Sequence, residues 1–426
     1  MSSDPVSAYL ERRGVVGPWN LDLPHETPLR GGIVIPSLAE HASIPGLLQS
    51  LCADHTLPAS GLAIVFVVNN REDASPDEKE DNRRTLETLR QVRHRLPFPL
   101  GIIDATSPGL SLPNRDGGVG LARKLGHDLL LPRLDFDSYD PVIVSLDCDT
   151  LVEPGYAGAI LAHFRAASTG GAVIPFAHQS AATEREVGAI VRYELFLRCY
   201  VAGLAFAGSP YGFHTVGSAM ACRASAYLKC GGMNRKRAGE DFYFLQSLAK
   251  TAGVQQVAGA MVRPSPRRSD RVPFGTGRAM GALLDGEQGA VLFYPRECYI
   301  LLRRWIELAT AACRGGWADL AGKAGELSPH LSAFLSAQGF PAVWEGFLRH
   351  HRGAERRLKA FHDWFDAFRI MKLFHFLAAG PNPRRPAEEA VNTWSEVWGG
   401  DDLTMTERLA YLRRLQGASV IPGDCS

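Results

Sequence analysis

Two carboxylates stand two residues apart at the end of an apolar run, Val142-Ile-Val-Ser-Leu-Asp147-Cys148-Asp149-Thr150. If the run is a buried strand, it hands both acids to the open end of a sheet. Hard divalent ions such as Mg2+ or Mn2+ take oxygen ligands, commonly one or two carboxylates plus substrate phosphates. Asp147 and Asp149 are therefore candidate metal ligands, the plainer reading being an Asp-rich turn. A second acidic pair, Glu240-Asp241, follows Gly239 and opens an amphipathic segment running to about Lys250. Acids favour the first turn of a helix because they complement its dipole. A carboxylate held there away from water can also take a proton from a hydroxyl.

The elements that must position these acids are legible. Gly32–Pro36, Ala63–Val68, Leu100–Asp104 and Val142–Leu146 are short β-branched runs. Helix-length segments lie between them, at Ile44–Cys52, Lys79–Arg95 and Gly120–Leu131. Continuous apolar strands alternating with helices predict a mostly parallel sheet covered on both faces. Ligands of such sheets bind beyond the carboxyl ends of the strands, where Glu40, Asn69, Asn70, Asp104, Asp147 and Asp149 should converge. After residue 286 helical patterns dominate, as in Cys298–Ala312 and Ala354–Ala378, where Leu358, Phe361, Phe365 and Phe368 mark one apolar face. The expected organisation is an irregular arm over 1–30, an α/β domain over 31–285 and a helical domain over 286–426.

The chain has 426 residues, with 46 basic against 45 acidic side chains. A net charge of +1 argues against a global attraction to nucleic acid. The eight cysteines, from Cys52 to Cys425, are scattered without a CxxC pair and read as reduced thiols filling the core. The first residues carry charges where a signal peptide needs an apolar run. The most apolar helical stretch, Ile190–Ala207, is interrupted by Arg192, Glu194 and Arg198, so no transmembrane segment is expected. A cytoplasmic location follows as an expectation, with peripheral membrane contact still allowed.

Taken in order, these motifs resemble the family 2 glycosyltransferases of the GT-A fold, over roughly residues 31–260. The resemblance rests on Ile35-Pro36-Ser-Leu-Ala-Glu40, the polar turn Asn69-Asn70, Gly117-Gly118-Val-Gly120-Leu-Ala122-Arg123, the Asp147-x-Asp149 strand, Gly217 with Gly231-Gly232, and Glu240-Asp241. It implies a GT-A-like (Rossmann-like) sheet and transfer of a sugar from a nucleotide diphosphate donor to an acceptor hydroxyl, with inversion. Glu40, Asn70 and Asp104 would line the nucleoside pocket, Pro36 and Asn69 would bind substrate, and Arg123 would face the base or diphosphate. Asp147 would hold the ribose or metal-bound water, and Asp149 would ligate Mn2+ or Mg2+. Gly217 would lie on the acceptor side, Asp241 would be the general base and Glu240 would fix the acceptor or support the loop. The family commonly has Asp where Asn69-Asn70 stands here. The histidine that many GT-A enzymes use as a third metal ligand has no counterpart, because no histidine lies between His214 and His330.

One further segment fits this chemistry. Arg263-Pro-Ser-Pro-Arg267-Arg268-Ser-Asp270-Arg271-Val-Pro-Phe-Gly-Thr-Gly-Arg278 packs arginines into a Pro/Gly/Ser-rich loop after a probable strand, Val254–Val262. Arginines grip phosphate oxygens in bidentate fashion, and a loop closing over a donor would exclude water. Arg268 and Arg271 are singled out, with Arg267 not separable from them. Tyr193, Tyr200 and Tyr211 either stack on a sugar ring or fill a helix interface. The acceptor, whether glycan, lipid-linked or small molecule, is unassigned. Two alternatives stand beside the transferase. One is a nucleotidyltransferase, disfavoured because the first strand leads to Ser37-Leu-Ala-Glu40 rather than a Gly-rich basic signature. The other is a degenerate GT-A domain serving as a binding module.

Overall fold

The computed structural model describes residues 4–24, 27–269, 271–287, 289–398 and 403–418. Cys425 and Asp270 lie outside the described residues; the seven described cysteines are free thiols. In chain order the first elements are α1 (Pro5–Arg13), β1 (Gly31–Ser37), α2 (Ile44–Ala53), β2 (Leu62–Asn69), α3 (Pro76–Val92), β3 (Leu100–Ala105), α4 (Val119–Leu130), β4 (Val142–Ser145), β5 (Leu151–Val152), α5 (Tyr156–Ala166) and β6 (Gly171–Val173). Then come α6 (Glu184–Phe206), β7 (Met220–Arg223), α7 (Ala224–Cys230), α8 (Glu240–Thr251), β8 (Val254–Gln256), β9 (Val262–Arg263), α9 (Thr276–Leu284) and α10 (Arg296–Gly315).

Two compact units emerge. The first comprises residues up to 181, 215–278 and 416 onward; the second comprises 182–214 and 279–415. The helix α6 thus belongs to the second unit although it lies inside the 31–285 span in sequence.

The first unit is built on a seven-stranded sheet of order β3-β2-β1-β4-β7-β6-β8. All neighbours run parallel except β7, which is antiparallel to both β4 and β6. This is the expected α/β architecture, a mainly parallel sheet flanked by helices. Every residue of β2 is buried, as a strand covered on both faces requires. The helix α4 packs on β1 and β2 so closely that a Cβ at Gly126 would strike Val34 and Val67. Strand order reverses between β1 and β4, which makes the gap at their carboxyl ends the place where open α/β sheets bind ligands.

Residues 5–13 are helical rather than irregular. Asp4 caps α1 by accepting from the Val6 and Ser7 amides, and Pro5 fits its first turn. The Tyr9 hydroxyl of α1 reaches a buried cluster on α4 and α7. Asp128 accepts from Tyr9 at 3.1 Å, from the Tyr227 hydroxyl at 2.8 Å and from the Val15 amide at 3.0 Å. Lys124 donates to Tyr9 at 2.8 Å and pairs with Asp128 at 2.9 Å. The strand expected over Val254–Val262 divides into β8 and β9, with Gly259 at φ +76° between them.

The second unit is helical. Glu194 of α6 is fully buried and accepts from Arg198 at 2.8 Å. Arg413 of the last described helix, Met405–Leu415, grips both its oxygens at 2.7 Å. The segment expected as one helix over Ala354–Ala378 is two, Ala354–Trp364 and Ala367–Ala378, because Asp366 accepts from the Arg369 amide and caps the second. Tyr200 packs against Tyr294 and Phe374, and the Tyr211 hydroxyl donates to the His362 carbonyl. Both tyrosines fill the interior of this unit. Among the described residues no helix is long and apolar enough to cross a membrane.

Candidate active site

Glu40 follows β1, while Asp147 and Asp149 follow β4, on either side of the reversal point. Ladder hydrogen bonding continues one residue past β4, since the Leu146 amide donates to the Val34 carbonyl at 3.1 Å. The turn then closes with the Thr150 amide on the Asp147 carbonyl at 3.1 Å. Its far side is fixed by β5, which pairs with β9 through Leu151↔Arg263 and Val152↔Val262. That pairing starts the arginine-rich loop directly beside the acidic turn. Gln179 reinforces it, donating to the Asp149 carbonyl at 2.8 Å and the Arg263 carbonyl at 2.7 Å.

Arg123, one turn into α4, stands between the two acidic pairs. Its Nη2 donates to Asp147 Oδ1 at 2.5 Å and its Nε to Glu240 Oε1 at 3.3 Å. The side chain is 2 % exposed, so these carboxylates are what compensate its charge. Its Nη1 has no hydrogen-bond partner. Gly217 is needed at this point because a Cβ there would collide with the guanidinium. Close approach also explains Gly120, where a Cβ would meet the Lys236 carbonyl at the loop that leads into α8.

Burial pushes Asp147 up to about 6, opposed by Arg123 and reinforced by Asp149, Asp241 and Glu40. Burial likewise raises Glu240 and Asp241, with Arg123 pulling both back. The backbone amides of Phe242, Asp241 and Gly217 also favour the charged form of Asp241. Two neighbouring carboxyls above the ordinary range suit proton transfer near neutral pH. Phe274, more than half exposed, stands over Gly239 beside this pair.

The loop brings arginines to Glu40 and Asp149. Arg267 Nε donates to Asp149 Oδ2 at 2.8 Å, and its Nη2 reaches Glu40 Oε1. Arg271 Nη1 reaches the same Glu40 oxygen, and its Nη2 donates to the Ala39 carbonyl at 3.0 Å. Arg267 thus joins Asp149 to Glu40, and Arg268 beside it is exposed. Ala39 has φ +50°, a left-handed conformation that costs an alanine about 1 kcal/mol. The Asn82 side chain holds it there by accepting from its amide at 2.8 Å.

The remaining sequence-predicted residues organise loops. Asn70 accepts from Asn82 at 3.1 Å and from Thr106, and donates to the Arg71 carbonyl and to Ser111. Asp104 caps its own turn, accepting from the Thr106 and Ser107 amides and the Ser107 hydroxyl. Asn69 is buried with an unpartnered Oδ1. Pro36 is half-buried in β1 between Ile35 and Ser37. Among the described residues no cluster of three or more His, Cys, Asp or Glu side chains could hold a metal.

No family model matches the chain. No curated protein matches it in sequence. Among solved structures it is similar to S. aureus TarS residues 1–349, at 11% identity over 79% of this chain and 90% of that one, with a TM-score of 0.38. The same TarS fragment in complex with UDP-GlcNAc gives 12% identity over the same shares and a TM-score of 0.39. The mannosyltransferase PcManGT from Pyrobaculum calidifontis, in complex with GDP-Man and Mn2+, gives 14% identity over 97% of this chain and 92% of that one, with a TM-score of 0.35. At these values the likeness carries no functional weight.

Proposed function

We propose that the chain is a glycosyltransferase of the family 2 type, moving a sugar from a nucleotide diphosphate to an acceptor hydroxyl with inversion. The observation that carries this reading is the pairing of two acidic centres across one buried arginine. Glu40, Asp147 and Asp149, with Arg267 and Arg271, make a donor side at the strand reversal. Glu240 and Asp241, at the start of α8, make an acceptor side next to Gly217.

Asp241 takes the proton from the acceptor hydroxyl, whose oxygen bonds to the anomeric carbon. The bond from that carbon to the diphosphate oxygen breaks, and its electron pair leaves with the diphosphate. Arginine guanidinium groups stabilise that developing charge. Asp149 and Asp147 would hold the ion, since their carboxylate oxygens suit a hard divalent cation. When bound, Mn2+ or Mg2+ supplies further charge neutralisation to the leaving diphosphate. Asp147 and Arg123 orient the donor side, and Glu240 holds α8 in register with it.

A thermal-shift panel of nucleotide sugars with and without Mn2+ tests the reading, because a ligand stabilises in proportion to the logarithm of its concentration over Kd. A metal-dependent shift with one nucleotide sugar is expected. A shift with nucleoside triphosphates alone would overturn the transferase in favour of nucleotidyl transfer. No shift with any nucleotide would leave a binding module.

A further inference from the structure

The donor-side charges are already balanced within the chain. Glu40 is buried to 8 % exposure, and two guanidinium groups converge on its Oε1. Arg267 spans from there to Asp149, so Arg267 and Arg271 pair with these two carboxylates. Asp149 is the carboxylate assigned to the metal under the proposed function, on which this inference rests. A guanidinium at 2.8 Å from Asp149 Oδ2 places a positive charge where a cation bound to that carboxylate would sit. The two charges repel when both draw on this one carboxylate.

We infer that Arg267 and a divalent cation compete for Asp149, so that the arginine loop is an internal lock which the donor's diphosphate opens. The exchange conserves charge. The cation takes Asp149 and Arg267 transfers to phosphate oxygens, which match the guanidinium fork equally well, while Arg271 stays on Glu40. The loop leaves β9 at Arg263, paired with Leu151 of β5, and runs to the start of α9 at Thr276. The lock makes cation and diphosphate bind cooperatively and keeps a lone cation out.

Free Mn2+ measured by electron paramagnetic resonance, during titration of the full chain, tests this without reference to turnover. Wild type is expected to bind Mn2+ weakly alone and more tightly with UDP or GDP. In Arg267→Ala, and in Arg267→Met, which keeps the apolar stem, Mn2+ alone should bind tighter by a coupling factor of roughly 5–150-fold. The same variants should bind the diphosphate more weakly. Opposite signs for the two ligands separate a lock from a general loosening of the fold, which would weaken both. Equal Mn2+ affinity in wild type and variants, with metal-dependent diphosphate binding intact, would overturn the lock and leave the transferase standing. Failure of every form to bind Mn2+ with any nucleoside diphosphate would overturn the metal-dependent reading and the lock with it.

Discussion

At the scale of residues, the proposed function puts the most weight on Arg123 and Asp241. Asp241→Asn keeps shape but removes the proton acceptor, and donor turnover should fall by about 10²–10⁴-fold; unchanged turnover would remove Asp241 from the base role. Because burial raises the acidic pair, kcat/KM should climb with pH along a limb lying above the ordinary carboxylate range of ~4. A pH–rate profile checks this. Stability carries the opposite sign. Folded Asp147 titrates at about 6 against an ordinary 3.8. Its contribution to stability is therefore complete below 3.8 and is lost as pH rises through 6. Replacing Arg123 by Gln leaves buried acids unpaired and should cost about 3–5 kcal/mol. That loss should show as a lower melting temperature and be larger at pH 8 than at pH 5, where the acids can take up protons. The sequence exposed the acids because each ends a strand or opens a helix. It did not separate Arg267 from Arg268, since direction in a Pro/Ser loop depends on backbone angles that neighbouring residue types do not encode. Ala39 and Gln179 gave no signal either: one is an alanine in a glycine-like conformation, the other a single amide acting on carbonyls.

At the scale of elements, α1 was the surprise, although Asp4-Pro5 ahead of Tyr9 is a readable helix start. Its Tyr9 hydroxyl closes the Lys124–Asp128 cluster one residue beyond Arg123, so this short helix braces the one that carries the central arginine. Tyr9→Phe leaves a buried partner unsatisfied and should cost about 1–3 kcal/mol, read as a drop in the thermal midpoint. A midpoint unchanged from wild type would show that water replaces the hydroxyl. The parallel strands were visible because two-sided burial makes them continuous apolar runs. The reversed β7, Met220-Ala-Cys-Arg223, offers only four residues and no such run. The break at Asp366 was legible as an N-cap in principle, but an aromatic stripe continuing through Phe365 and Phe368 masked it.

At the scale of the whole molecule, the order of residues along the chain and the order of packing differ. The helix α6 lies between two stretches of the sheet unit, yet it packs with α10 and with Met405–Leu415. No local pattern announces that, because the pairing of Glu194 with Arg413 spans 219 residues. A fragment of residues 31–285 carries α6 without these partners and exposes its apolar surface and a buried carboxylate. It should partition into the insoluble fraction on expression, whereas the full chain stays in the supernatant; a soluble, monomeric fragment would refute the assignment of α6 to the helical unit. The same arrangement imposes a schedule on biosynthesis. About 200 residues separate the end of α6 at Phe206 from Met405. At ~5–20 residues per second the ribosome needs roughly 10–40 s to deliver that length. For that interval the nascent chain holds Glu194 without Arg413, so the helical unit can complete itself only once Met405–Leu415 has emerged, and an interruption upstream of Met405 strands a chain that chaperones must hold or proteases remove.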